Sequence, residues 1–169
     1  MSWIKIRQSL LGIAVSHPQI NSFGSGNALA IGSDNAFNVR LPDQKKLLYP
    51  LLFCDVTSFS NASRGVLTLT VQMYVMDRVE KVQITDPITS GNVTVSWQST
   101  EDQVISDMLL VTSDILSKLS DNPSVTFNLR PGTSGQAFVE TRDDIVAGWA
   151  SSLVFELPYG MDTCSIPTL

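Results

Sequence analysis

One histidine, two cysteines and sixteen acidic side chains are what this 169-residue chain offers for catalysis or metal binding. A Ser-His-Asp triad would have to use His17, and no Gly-x-Ser-x-Gly elbow is there to present the serine. His17 instead precedes Pro18, so it reads as a residue that ends a helix and bonds nearby backbone. Asp55, Asp77 and Glu156 fall in or beside expected strands. Paired carboxylates of this kind hydrolyse glycosides or transfer protons when they converge in a cleft. Spacing along the chain does not show whether they converge, and the reading preferred is structural turns or interface ion pairs. Asp143 and Asp144 are adjacent, so in a strand they point to opposite faces and do not chelate one ion. Glu101, Asp102, Asp107 and Asp114 read as a solvated helix face.

Cys54 lies in the apolar run Leu51-Leu52-Phe53-Cys54 and is expected to be a buried thiol, with Cys164 in a terminal loop. A disulfide between them is left open, but two thiols and one histidine do not make a zinc-ligand set. Gly24-Ser25-Gly26 is too short for a phosphate loop and has no following Gly-Lys-Ser/Thr. Trp3, Trp97 and Trp149 are too dispersed to form a stacking platform. The expectation is a protein without catalytic residues, cofactor or metal, and not an enzyme. Trp97 stands apart because it sits in a polar excursion, and an aromatic on a protruding hairpin is a common interface anchor.

The elements that would carry these residues follow from apolar periodicity. Trp3, Ile6, Leu10, Ile13 and Ala14 recur at helical spacing over residues 2–16, with Ser2 as N-cap and His17-Pro18 as the stop. Residues 22–35 are rich in Gly, Ser and Asn, with short extended pieces expected at 28–31 and 37–41. Strands are expected at 47–59 and 66–79, joined by a hairpin loop at 60–65, and Pro50 confines the start of the first to an edge or bulge. In the second, Leu67, Leu69, Val71, Met73 and Val75 alternate with Thr68, Thr70, Gln72 and Tyr74, so one face is buried and the other is solvated or covered by a partner. Residues 80–99 form the polar excursion, with a small strand at 93–97. Thr100 with Gln103 has the capping-box pattern, and Val104, Met108, Val111, Ile115 and Leu119 make the buried stripe of a second helix ending near Asn122-Pro123. Strands return at 125–130, 136–141 and 144–158, with Gly148 marking a bulge or a close backbone approach. The order predicts a single α+β domain over 1–169, a mainly antiparallel sheet with two amphipathic helices on one face, and an excursion at about 80–99.

Composition narrows the function. Charged residues are 16% against about 25% in an average domain, while 21 Ser and 13 Thr make the surface neutral and hydroxyl-rich. Apolar residues are 43%, and with so few charges the expectation is a folded chain, since disordered chains are charge-rich and apolar-poor. With a net charge of −5 and no basic run longer than Lys45-Lys46, the chain has no patch for neutralising many phosphates. An acidic surface past which DNA slides remains compatible. No stretch approaches the length of a membrane span. Leu10 to Ser16 is a short apolar core behind a basic region interrupted by Trp3, Ile4 and Ile6, so a signal peptide is not the reading expected, and the acceptor patterns at Asn61 and Asn92 read as chance matches in turns.

Several phrases in one order carry a resemblance. They are His17-Pro18-Gln19-Ile20-Asn21-Ser22-Phe23-Gly24 after the first helix, Tyr49-Pro50 opening a strand, Met76-Asp77 ending the next, and Asp102 to Leu119 with Val104 and Asp107 in the long helix. Ala147-Gly148-Trp149, Pro158 and Cys164-Ser165-Ile166-Pro167 follow. The chain resembles the small neck and tail-completion ring proteins of tailed bacteriophages, tail terminators among them, and especially those of crAss-like phages. It departs from them in the weakly charged segment 80–99. The resemblance implies a tail-terminator-like antiparallel sheet flanked by helices. It implies a structural virion protein, made in the host bacterial cytoplasm, that forms a six- or twelve-fold homo-oligomeric ring between the head or portal side and the tail tube. Its partners would be copies of itself and the neighbouring neck or tail proteins, with viral DNA passing through the lumen and no membrane. His17, Gln19, Asn21, Phe23 and Trp97 are the assembly-contact candidates. Two rival readings stand beside it. A small-molecule binding module would show an enclosed pocket lined by apolar and aromatic groups, and a hydrolase would show two carboxylates within about 10 Å in a cleft.

Overall fold

A computed structural model describes residues 3–26, 48–63, 65–80, 88–90, 93–95, 100–121, 127–141 and 145–158. The expected pieces at 28–31 and 37–41, the Asp143-Asp144 pair, Trp97 and Cys164 lie outside them.

The first helix, α1, spans Trp3–Ser16 and buries Ile6, Leu10, Ile13 and Ala14. The Ser16 hydroxyl bonds the Ile13 carbonyl at 3.0 Å, and the His17 N–H bonds the Ala14 carbonyl at 3.2 Å. These bonds take up the last-turn carbonyls as Pro18 turns the chain away. Next comes a strand that the Gly- and Ser-rich composition had concealed. Strand β1, Ser22–Ser25, lies parallel to the start of β2, Leu51–Ser63. It forms because its backbone groups find partners on the edge of β2. Asn21 and Ser22 N–H groups both reach the Pro50 carbonyl, at 2.9 and 3.3 Å.

Strand β2 begins only after Pro50, whose bond to Tyr49 is cis, and runs through the expected loop to Ser63. The reversal is therefore shorter than the expected loop at 60–65, and Gly65 takes a left-handed φ of 86° in it. Strand β3, Val66–Arg78, pairs with β2 across register shifts at Val56/Ser58 and Asn61/Ser63. The strands β4, Ile88–Ser90, and β5, Val93–Val95, make a separate hairpin inside the excursion. Helix α2, Glu101–Asp121, buries all five residues of the expected stripe together with Thr112, whose hydroxyl is satisfied by the Met108 carbonyl at 2.7 Å. Strand β6 is only Asn128–Leu129, β7 is Ser134–Thr141, and β8 is Ile145–Pro158.

The sheet order is β1-β2-β3-β8, with β7 and then β6 along the far side of β8. Every pairing but β1 with β2 is antiparallel. Both helices cover one face. There Ile6, Leu10 and Ile13 from α1 and Met108, Val111 and Ile115 from α2 pack with Leu52, Val71, Met73, Val75, Leu153 and Phe155. The fold is α+β, as the element order predicts.

The other face is more than a solvated surface. Leu51, Phe53, Met76 and Val146 form a second buried cluster, with Tyr49, Tyr74 and Phe138 against it. Phe138 on β7 reaches Tyr74 on β3 edge-on at 6.0 Å, spanning β8 where it carries Gly148 and Ala150. A side chain on Gly148 would also meet backbone. A Cβ there would run into the Val75 carbonyl oxygen and come within 2.8 Å of the Met76 Cα.

Gly148→Ala should therefore cost about 3 kcal/mol, the upper end for overpacking a core. Gly12→Ala should do the reverse. Nothing lies within 4 Å of a Cβ at Gly12, in the middle of α1, so about 1 kcal/mol of helix propensity is gained. Urea denaturation of both variants measures the contrast.

Candidate functional site

His17 to Phe23 carries four of the five expected assembly residues, and the structure divides them. The His17 ring is buried. Its Nδ1 accepts the Gln19 N–H at 3.3 Å, and its Nε2 stands 3.5 Å from the Asp114 carboxylate on α2. With Nδ1 accepting, the proton sits on Nε2, facing the carboxylate. His17 thus terminates α1, bonds backbone, and ties α1 to α2. Gln19 and Asn21 are exposed, although the Asn21 side-chain amide already donates to the Tyr49 carbonyl at 2.6 Å. Phe23 is half-buried against the main core. Trp149 is also half-buried on that core, and its indole N–H donates to the Ile105 carbonyl at 2.8 Å, locking β8 under α2.

The carboxylates expected from sequence do not converge. Glu156 pairs with Arg130 at 3.5 Å in solvent. Leu52 and Cys54 belong to the helix-side core and Leu51 and Phe53 to the opposite cluster, so alternation puts Asp55 on the face away from the helices. There Asp55 and Glu140 act on the Tyr74 phenol, which is pushed up first by burial and then by these two charges.

A different set of acids does meet. Asp77 at the end of β3, Glu80 just after it and Asp107 on α2 line an open cleft of about 520 Å³ with Tyr49, Arg78, Thr100 and Gln103. Sequence reading had placed Asp107 on a solvated helix face. Asp107 is exposed, as expected, and the packing of α2 across the end of β3 also sets it on the cleft beside Asp77. The Asp77 carboxyl is held above its ordinary range, chiefly by burial, with Asp107 and Glu80 adding to the effect. The Arg78 N–H, bonded at 2.7 Å, and the Arg78 charge oppose it. The Arg78 guanidinium lies over the Tyr49 ring, 5.6 Å from its centre. A carboxyl raised by burial beside other carboxylates marks this cleft as the candidate site. The cleft is open and mostly polar, without the apolar enclosure of a small-molecule pocket. Among the described residues no group of three His, Cys, Asp or Glu side chains is arranged to hold a metal.

Beside this cleft the excursion is clamped at its base. The Thr100 N–H donates to the Glu80 carbonyl and the Glu80 N–H donates to the Thr100 hydroxyl, both at 3.0 Å. Thr100 is the N-cap by its carbonyl, which accepts the Val104 N–H at 2.9 Å. Its hydroxyl, expected to cap Gln103, is spent on Glu80 instead. Cys54 is a free, buried thiol, raised far above its ordinary range by burial, and so inert. Among the described residues no helix is long and apolar enough to cross a membrane.

Two measurements test these assignments. Because the folded state raises the Asp77 carboxyl, the native protein binds more protons than the unfolded chain across that window, and stability falls as pH rises through it. Asp77→Asn should be more stable than the parent at pH 7, and the gap should close as pH falls to the ordinary aspartate range, as read by denaturation at a series of pH values. His17→Ala removes the acceptor for the Gln19 N–H and empties a buried site, so it should lose about 2–3 kcal/mol. Asp114→Ala should lose under about 1 kcal/mol, because that carboxylate is largely in water.

No protein-family model matches the chain, and no curated protein matches it.

Proposed function

We propose that the chain is a structural subunit of the neck or tail of a tailed bacteriophage, assembled into a homo-oligomeric ring that joins the head side to the tail tube and lets DNA through. The observation that carries the reading is the fold, a curled, mainly antiparallel sheet with two helices on one face. The phrases that carry the resemblance fall in or beside its elements. His17-Pro18 closes α1, Met76-Asp77 ends β3, and Ala147-Gly148-Trp149 lies in β8. A neutral, hydroxyl-rich surface suits burial against other copies, and the net charge of −5 suits a lumen along which phosphates do not stick. The polar, open cleft at Asp77 gives no support to a small-molecule binding module.

Mass in solution, with negative-stain images of the same sample, tests the proposal. A closed ring at six or twelve times the 18.4 kDa subunit mass is the expected result. A particle that stays at the subunit mass at every concentration, or that grows into open chains, overturns it.

A further inference from the structure

The sheet is open at both ends among the described residues. On one side β1 covers β2 only from Leu51 to Cys54, and no described strand pairs with the outer side of β2 beyond that point. Val56 to Ser60 are exposed there, and Phe59 is 74% exposed. On the other side β7 is paired through eight unbroken steps to β8, with no described strand beyond it. Its residues Ser134 to Ala137 and Val139 are exposed. Proteins normally blunt such edges with lysine, proline or a bulge. Strand β7 reads Ser-Gly-Gln-Ala-Phe-Val-Glu-Thr and has none of these, whereas the exposed stretch of β2 carries the register shifts at Val56/Ser58 and Asn61/Ser63.

The two edges match in direction and in face. Counting across the antiparallel pairs from β2 through β3 and β8 to β7, β7 runs opposite to β2. If the sheet continues from one copy into the next, β7 therefore meets β2 of the neighbour antiparallel. The shift at Val56/Ser58 sets Phe59 opposite Leu69, which is in the helix-side core, and Val139 lies opposite Ala147, also in that core. The exposed apolar residues of both edges thus project on the same side of the sheet. The heights differ. Strand β7 is level with the part of β2 that β1 already covers, because Ser134, Ser152, Gln72 and Asp55 are successive partners. Adjacent copies must then step along the strands by about the length of β7, roughly 25 Å. That step inclines the strands to the axis of closure, as closed sheets require.

We propose that β7 of one copy adds as a strand to the open stretch of β2, residues 56–63, of a second copy, with Val139 and Phe59 on one continuous face. The choice of a second copy as occupant rests on the ring reading above. The contact is head to tail, so each subunit uses both edges and the chain of contacts closes or propagates.

Val139→Lys and Phe59→Lys test it, both at exposed positions, with an unchanged far-UV circular dichroism spectrum as the check on folding, since loss of assembly itself lowers the melting temperature. Each variant alone should weaken self-association at least tenfold by sedimentation. An equal mixture should form a one-to-one dimer in native mass spectrometry, because Phe59→Lys retains an intact β7 and Val139→Lys retains an intact β2 edge. Open chains in the parent protein that both variants abolish would uphold the edge contact while the closed ring fails. A ring that persists in both variants overturns the edge contact and leaves the ring reading standing. A parent that does not associate, with no dimer in the mixture, overturns the edge contact. So does a Phe59→Lys variant that dimerises alone, since β7 would then be pairing with itself.

Discussion

The ladder between β3 and β8 is the contact on which the rest of the molecule depends. It runs without a register shift from Val66↔Pro158 to Arg78↔Val146. At Met76↔Gly148 there is no room for a Cβ. A continuous ladder fixes which residues of both strands share a face, because a one-residue slip would turn every side chain over. Val71, Met73 and Val75 on β3 and Leu153 and Phe155 on β8 then face one way and form the floor on which both helices sit. The other residues of the same strands, Tyr74 and Met76 with Val146, face the other way and build the smaller cluster. Strand β8 also carries β7 and β6 on its far side, so one strand organises both sides of the sheet.

Polar groups fix how the helices lie on that floor. The Trp149 indole reaches a carbonyl in the second turn of α2, and the His17 ring bridges the end of α1 to Asp114 in the middle of α2. Hydrophobic burial is non-directional and would tolerate some sliding. A partly buried donor such as the Trp149 indole N–H, which loses its partner on sliding, tolerates it less. The reciprocal bonds between Glu80 and Thr100 do the same for the excursion, whose two ends are held together where β3 stops and α2 begins. The acidic cleft lies at that junction. Asp77, Glu80 and Asp107 are brought close by the way strand, clamp and helix meet, and Asp77 bears the electrostatic strain.

A sheet covered by helices on one face leaves its edges as the natural surfaces for association. Helix packing satisfies side chains, but it does nothing for the outward N–H and C=O groups of a terminal strand. Those groups need water or another strand. Among the described residues, the two stretches with no further strand beyond them lie on opposite sides of the sheet and differ in sequence, so they suit a contact between unlike surfaces of identical subunits. This links the proposed role to the architecture more directly than any single side chain does.

Sequence alone determined the parts of the fold that burial periodicity encodes. The stripe of α2, the apolar spacing of α1, the alternation of β3 and the tight approach at Gly148 were all legible, because a buried face needs apolar residues at fixed intervals whatever it packs against. His17 was legible as a helix stop, and Cys54 as a buried thiol. Tertiary structure alone decided the rest. Strand β1 and the outer part of β2 are rich in Gly, Ser and Asn and become strands only because a neighbouring backbone offers hydrogen bonds. Backbone pairing leaves no mark on side-chain composition. The meeting of Asp77 with Asp107 depends on how α2 crosses β3, thirty residues later, and the burial of His17 depends on a helix nearly a hundred residues away. Such contacts are set by packing geometry in three dimensions, which the spacing of residues along one chain does not record.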